Sequence, residues 1–355
     1  MPIESSHRPL VVAVVGATGL VGRTMTEILA ERDYPVGELR PLASRAGDRT
    51  VEFGGREYPV QVATPDAFEG VDIAIFSAGG GTSKVLAPEA AARGAVVVDN
   101  SSQWRMEPGV PLVVAGVNDE DAADHEGIIA NPNCSTMQLM PLFKALRDSV
   151  GMKRVIVDTY QAVSGSGNKA VVELEDQVRA FAAGEEMEAS VYPYPIAFNV
   201  LPHIDVFLDN GYTKEEWKVT TETRKILHLP DLPVSCTAVR VPVVTSHSEA
   251  VHVELEGSMT PDEARELFAQ MPGVVVRDDP ANNVYPLPTD GAGVDEVFVG
   301  RIRADASLPE GKGLAFWVVS DNLRKGAATN AVEIAEVVAR NGWLKKASER
   351  AVEVA

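Results

Sequence analysis

Apolar and polar positions fall into two textures along the chain. In the first, short continuous apolar runs alternate with stretches of helical period. Residues 10–15 form such a run, the mark of a strand buried on both faces, and a glycine-rich turn at 16–22 leads into helical spacing to about residue 31. Further apolar runs at 38–43, 71–76, 95–98 and 127–130 predict strands, with a short one at 112–114 and an alanine-rich helix at 83–93. Strands alternating with helices predict a parallel sheet with covered faces. From residue 134 the texture changes. Met137, Leu139, Met140, Leu142, Phe143 and Leu146 keep roughly helical spacing to about residue 150. A strand at 154–160 runs into a flexible turn at 161–167. A helix is expected at 171–183, an irregular proline- and aromatic-rich segment at 192–202, and a helix at 215–227. β-Branched strands follow at 234–243 and 250–255, then a helix at 261–270 and strands at 294–303 and 314–319. An amphipathic helix at 326–340 closes the pattern and is expected to pack back on the first domain.

The expected fold class is α/β. An N-terminal Rossmann-like parallel sheet (1–133, completed by 325–355) is joined to an α+β substrate and dimerisation domain with a mixed sheet (134–324). A length of 355 residues favours two domains over one core. The net charge of −19 makes nucleic acid and anionic membrane surfaces poor partners, so an anionic substrate must be met by locally placed Arg or Lys. No apolar run reaches membrane-spanning length. The polar residues 1–9 carry no apolar signal region, which predicts a cytoplasmic protein whose two cysteines, Cys134 and Cys236, stay reduced. No clustered Cys/His spacing predicts a metal site.

The chemistry concentrates in a few places. Asn131-Pro132-Asn133-Cys134-Ser135-Thr136-Met137-Gln138 sets a thiol where a buried strand ends and a helix begins. The first turn of a helix offers N–H groups and a positive dipole end, which favour a thiolate and can hold an acyl oxyanion. Gly16, Gly19 and Gly22, with Thr18, Leu20 and Val21 between them, suit close approach of backbone N–H groups to a pyrophosphate. The second strand ends in Ser44-Arg45 with no carboxylate, which fits a 2′-phosphate and favours NADP over NAD. The run 240–248 carries Arg240 inside an apolar strand and His247 at a strand break, a loop-like site suited to reaching a pocket. His7, His125, His203, His228 and His252 lack such a context. Cys236, within a strand, reads as a small buried apolar residue.

These segments together resemble the aspartate-semialdehyde dehydrogenases over nearly the whole chain. The likeness is carried by GATGLVG at 16–22, LASRAG at 42–47, DNSSQWRM at 99–106, NPNCSTMQL at 131–139, QAVSGSG at 161–167, EEWKVTTETRKIL at 215–227, RVPVVTSHSE at 240–249 and SDNLRKGAATNA at 320–331. The resemblance implies NADPH-dependent reduction of 4-phospho-L-aspartate to L-aspartate 4-semialdehyde and phosphate, in biosynthesis of lysine, threonine, methionine and isoleucine, by a homodimer. It makes Cys134 the nucleophile that forms a thioester. His247 becomes a general acid/base of near-neutral pKa, and Gln161 the residue that orients the acyl group. Arg240 then grips the α-carboxylate, Glu215 meets the amino group or orients its neighbour, Lys218 helps bind phosphate, and Arg105 matches a phosphate-binding arginine. Ser164, Gly165 and Asn322 match cofactor contacts, and the Ala78-Gly79-Gly80 turn joins the nucleotide groove. Two alternatives stand beside this reading. One is a related acyl-phosphate reductase, such as N-acetyl-glutamyl-phosphate reductase or a glyceraldehyde-phosphate-type dehydrogenase. The other is a non-catalytic nucleotide-binding paralogue, which the presence of Cys134, Gln161, Arg240 and His247 together disfavours.

Overall fold

The computed structural model describes residues 9–345. His7 and the polar N-terminal residues 1–8 lie outside the described residues, as do 346–355. The chain divides into two compact units, Met1–Asn133 with Ala327–Ala355, and Cys134–Gly326.

The first unit is built on six parallel strands. They are β1 (Leu10–Val15), β2 (Val36–Ala43), β5 (Gln61–Val62), β6 (Ile73–Phe76), β7 (Val96–Asp99) and β8 (Ile128–Ala130), in the order β5-β2-β1-β6-β7-β8. The order reverses between β1 and β6, the place where sheets of this kind open a crevice at their carboxyl ends. Helices α1 (Leu20–Glu31) and α2 (Gly80–Ala92) follow the two strands that flank that crevice. The sheet is apolar on both faces. Val12, Val14, Ile73, Ile75, Val96 and Val98 join one core, and Ala13, Val15, Ala74, Phe76 and Val97 the other. The C-terminal helix Asn330–Arg340 belongs to the first of these cores, through Ala331, Val332, Ile334, Ala335, Val337 and Val338. Its amphipathic pattern reduces to a narrow polar stripe of Glu333, Glu336 and Arg340.

Two details depart from the expectations. Residues 112–114 make only an isolated bridge, Leu112 to Ala130, because the following residues turn away into a 3-10 segment. A hairpin of β3 (Thr50–Phe53) and β4 (Arg56–Pro59) lies between β2 and β5. Gly54 and Gly55, at φ +57° and +74°, make the tight connection that needs positive φ at both central residues.

The second unit carries a mixed sheet, β10-β9-β11-β14-β13-β12. Its strands are β9 (Met152–Gln161), β10 (Val234–Arg240), β11 (His247–Leu255), β12 (Val274–Val276), β13 (Val297–Ala304) and β14 (Gly313–Ser320). The two outer pairings are parallel and the three inner ones antiparallel. The helices are α3 (Cys134–Met137), α4 (Met140–Ser149), α5 (Asn168–Ala183), α6 (Lys214–Ile226), α7 (Pro261–Ala269) and α8 (Pro288–Gly291). α6 packs on β10 and is anchored by Glu216. That carboxylate completes a capping box with Thr213 and also accepts the Ala238 N–H of β10 at 2.9 Å. One residue before it stands Glu215.

Candidate active site

Cys134 opens the single helical turn α3, and its thiol is half-buried. The continuous helix expected to residue 150 is interrupted. Pro141 has no N–H, and its ring would foul the carbonyl four residues back, at Met137, where α3 ends. The chain restarts as α4, so the thiol sees the dipole of one turn. Gly326 closes on the other side of Cys134. A Cβ there would lie 3.0 Å from the Cys134 Cβ and 3.4 Å from the Asp321 carbonyl oxygen. Gly326 lies in a π-helical turn, Arg324–Thr329, ahead of the final helix. Asp321 secures that turn. Its carboxylate accepts the N–H groups of Leu323, Arg324 and Gly293, and its carbonyl accepts that of Gly326.

His247 faces the thiol, with Nε2 3.3 Å from Cys134 Sγ. It sits on no loop. It is the first residue of β11 and fully buried. The turn expected to end the strand is taken up one residue earlier by Ser246, at φ +77°, whose N–H donates to Asn322 Oδ1 at 2.9 Å. The Ala162 N–H donates to His247 Nδ1 at 3.0 Å. Nδ1 is therefore the acceptor, and the single proton of the neutral ring lies on Nε2, aimed at Sγ. The near-neutral pKa expected for His247 is not found. Burial, reinforced by the Arg240 charge and only partly offset by Glu215, pushes it down to about 3. The ring is uncharged throughout the physiological range.

A buried polar network extends from this pair. Gln161, at the end of β9, accepts from the Thr159 hydroxyl and donates to Glu215 Oε1 at 3.1 Å. Glu215 Oε2 takes a hydrogen bond from Lys218 Nζ at 2.9 Å, and Lys218 reaches Asp205 at the same distance. Burial opposes the Lys218 charge, but Glu215 and Asp205 prevail and hold its pKa up. Arg240 is 4 % exposed. It donates one Nη1 bond to the Ala162 carbonyl at 2.7 Å, lies over the Tyr192 ring, and has a buried Nε with no acceptor. No carboxylate among the described residues pairs with it. Gly165 leaves room for both functional side chains: a Cβ there would meet Arg240 Nη1 at 3.1 Å and His247 Cε1 at 3.3 Å. The turn at 161–167, expected to be flexible, is a 3-10 segment (Val163–Ser166) whose Val163 and Ser164 are buried. Ser164 and Asn322 hydrogen-bond each other through their side chains.

The other nucleotide candidates lie in the first unit. Gly16 stands at φ +87° with a virtual Cβ 2.5 Å from the Ser77 carbonyl oxygen, and one on Gly22 would lie 2.2 Å from the Gly16 oxygen. Side chains at either position would wreck the meeting of the β1 and β6 turns. Neither α1 nor α2 has a side-chain cap or an acid in its first turn, which leaves their N-terminal N–H groups to an anion. Ser44 and Arg45 are exposed beyond β2, and among the described residues Arg45 has no carboxylate partner. Arg49, missed in the sequence, reaches back to Thr18 Oγ1 at 3.3 Å. Arg105 is buried and donates to the carbonyls of Asn131 and Asn100. Among the described residues no cluster of three or more His, Cys, Asp or Glu is arranged for a metal, and no helix is long and apolar enough to cross a membrane.

Two family models match the chain. Residues 11–125 match the semialdehyde dehydrogenase NAD binding domain, and 141–325 the semialdehyde dehydrogenase dimerisation domain. The aspartate-semialdehyde dehydrogenase of Aquifex aeolicus is 54 % identical over 338 residues, covering 94 % of this chain and 99 % of that protein. That of Bacillus subtilis is 51 % identical over 338 residues, covering 93 % and 97 %. The crystal structure of aspartate semialdehyde dehydrogenase II from Vibrio cholerae complexed with ASA superposes with a TM-score of 0.91 at 44 % identity, covering 94 % of this chain and 99 % of that one.

Proposed function

The chain belongs to the aspartate-semialdehyde dehydrogenase family, and we propose that Cys134 carries the acyl group while His247, Gln161, Glu215 and Arg240 hold it. The reaction is the reductive dephosphorylation of 4-phospho-L-aspartate to L-aspartate 4-semialdehyde with a nicotinamide nucleotide, a step of amino-acid biosynthesis. The observation that carries the residue assignment is the 3.3 Å approach of Sγ to Nε2, with an unpaired buried guanidinium beside the same glycine as the imidazole.

The Cys134 thiolate attacks the acyl carbon. The resulting oxyanion accepts the Nε2–H of His247, which is already protonated and has no second acceptor to satisfy. Phosphate departs, taking a proton from solvent, and leaves a thioester on Sγ. A nicotinamide nucleotide held at the glycine-rich turn after β1 would supply the hydride; collapse of the second oxyanion then returns the thiolate at Cys134. Arg240 offers Nε and its remaining Nη protons to the α-carboxylate, in the planar fork that Lys lacks. A guanidinium buried without a counterion is costly by several kcal/mol, a cost that an anionic substrate offsets. Glu215 accepts from the substrate ammonium, and Lys218, already held charged beside it, attracts phosphate. The assignment of Arg105 to phosphate rests on its motif alone. Gly326→Ala should push Sγ away from Nε2. Steady-state rates are expected to fall about 10²-fold with nucleotide affinity unchanged.

NADP is the proposed nucleotide. Ser44, Arg45 and Arg49 gather around the end of β2, where an NAD site would carry a carboxylate. Replacing Arg45 and Arg49 with Ala should weaken 2′,5′-ADP roughly 10–100-fold in a calorimetric titration. 5′-ADP should bind as before; equal losses for both ligands would remove the 2′-phosphate reading. A second copy of the chain is the proposed cover for the outer face of the second unit's sheet. Tyr160, opposite Ser248, and Trp317, opposite Ala250, lie on that face as diagonal neighbours, away from the face that carries His247, and their rings are 5.2 Å apart.

The decisive experiment is mass spectrometry after incubation with aspartyl phosphate and no nucleotide. An aspartyl adduct on Cys134 is expected. An adduct that forms faster with N-acetyl-glutamyl phosphate would overturn the substrate, because Glu215 and Arg240 are matched to a free amino-acid head.

A further inference from the structure

Beside the Cys134–His247 pair lies a second pair, Gln138 and Glu249. Gln138 follows Cys134 by four residues, in the turn directly after α3. Glu249 follows His247 by two residues, on the same face of β11. Where Cys134 meets His247, Gln138 meets Glu249. Gln138 and Glu249 are fully buried, and no oxygen or nitrogen of either side chain has a well-formed hydrogen bond to another protein group. Four orphaned polar atoms thus confront one another under the turn that bears the thiol.

The chemistry of the two groups limits how they can be satisfied. A carboxylate accepts only, so it could take the Gln138 N–H but would leave the Gln138 carbonyl oxygen facing negative charge. A carboxylic acid donates through its O–H to that carbonyl and accepts the amide N–H on its own carbonyl oxygen, which closes a cyclic acid–amide pair and satisfies both groups. The surroundings favour the neutral form. Burial is the main influence, the Gln138 amide opposes it, and the Glu215 carboxylate adds to it; together they raise the Glu249 pKa well above the carboxylate range. The Cys236 thiol of β10 feels the same Glu249 and is pushed up in turn, chiefly by burial.

We propose that Glu249 is a protonated carboxylic acid that pairs with Gln138 and so positions the Cys134 turn over β11. Glu249 touches neither substrate nor reacting atoms. It is a positioning residue, acting through the backbone of residues 134–138. Its neutrality also keeps a negative charge away from the forming thiolate. The inference rests on Cys134 and His247 being the reacting pair, but its tests do not depend on the substrate.

The protonation state is read directly by the infrared difference between the parent and Glu249→Gln. The carbonyl band of a protonated carboxylic acid is expected in the parent at neutral pH and is lost in the variant; its absence from the parent overturns the proposal. Thermal unfolding gives a second reading. The unfolded chain ionises Glu249 near its ordinary pKa while the folded chain keeps the proton, so the parent loses stability as pH rises. Glu249→Gln should gain Tm relative to the parent from about pH 5 to about pH 8, and a gap that stays constant or widens the other way overturns the proposal. Positioning is read by the pH dependence of Cys134 alkylation. Gln138→Ala and Glu249→Ala should each slow it about ten-fold and move its midpoint upward, and the double variant should add little more. Glu249→Gln should restore the parental profile. Should Glu249→Ala not fold, Gln138→Ala carries this arm, and parental alkylation in that variant removes the positioning role.

Discussion

Cys134→Ala is expected to abolish aldehyde formation, with turnover reduced by at least about 10⁴-fold, while NADPH binds as tightly as to the parent. The size of the effect follows from what the sulfur does. It is the only atom in the second unit's polar network that can form a bond to the acyl carbon and later leave as a stable anion. Gln161, Glu215 and Arg240 can orient a bound acyl phosphate but cannot split the reduction into two easier steps. Removing Sγ leaves direct hydride attack on the acyl phosphate, without the thioester that makes the carbonyl accessible. Cys134→Ser should be nearly as impaired, since an alcohol ionises far less readily than a thiol and the His247 nitrogen facing it already carries its proton. The unchanged nucleotide affinity separates loss of the nucleophile from loss of the fold, and fluorescence titration of NADPH measures it. Turnover within ten-fold of the parent in Cys134→Ala would exclude the acyl-cysteine reaction.

The elements that can be read from sequence are those set by near neighbours. The parallel sheet announces itself as continuous apolar runs. The turn after β1 announces itself as glycines whose positive φ and missing Cβ are needed where Gly16 meets Ser77. Cys134 and His247 were visible as residue types in a motif, and the structure brings them within 3.3 Å. What escaped is set by contacts across long stretches of chain. Nothing near His247 says that the Ala162 N–H will occupy Nδ1, yet that bond fixes the tautomer and, with burial, the charge. Gly326 read as the start of a helix, because its close approach to Cys134 spans nearly two hundred residues of chain. Nothing in the sequence around Arg49 says that the chain after β2 folds it back to Thr18. Two breaks have a local signal in the sequence. Pro141 marks the break between α3 and α4, and Gly54-Gly55 between alternating strands marks the hairpin.

His247→Ala should lower kcat by about 10²–10³-fold, the scale of losing one preorganised donor to an oxyanion. It should also change the response to acid in a direction that the buried ring dictates. In the unfolded chain His247 takes up a proton near its ordinary value of 6.5; in the folded chain it does so only at about 3. Above 6.5 neither state is protonated there, and the stability that depends on a neutral ring is fully present. Between 6.5 and 3 the unfolded state binds the extra proton, so stability falls with pH, by about 4 kcal/mol across the window for this one residue. The alanine variant lacks the titration. Its Tm should therefore drop less than that of the parent between about pH 7.5 and about pH 5. The same ring predicts the shape of the parent's rate profile: kcat/KM should show no limb from His247 between about pH 5 and about pH 8, because the imidazole is neutral throughout. A limb near 6.5 that disappears in His247→Ala would mean that the ring is protonated in the working enzyme. The Ala162 N–H would then have to release Nδ1 during turnover, and His247 would act as an acid rather than as a fixed hydrogen-bond donor.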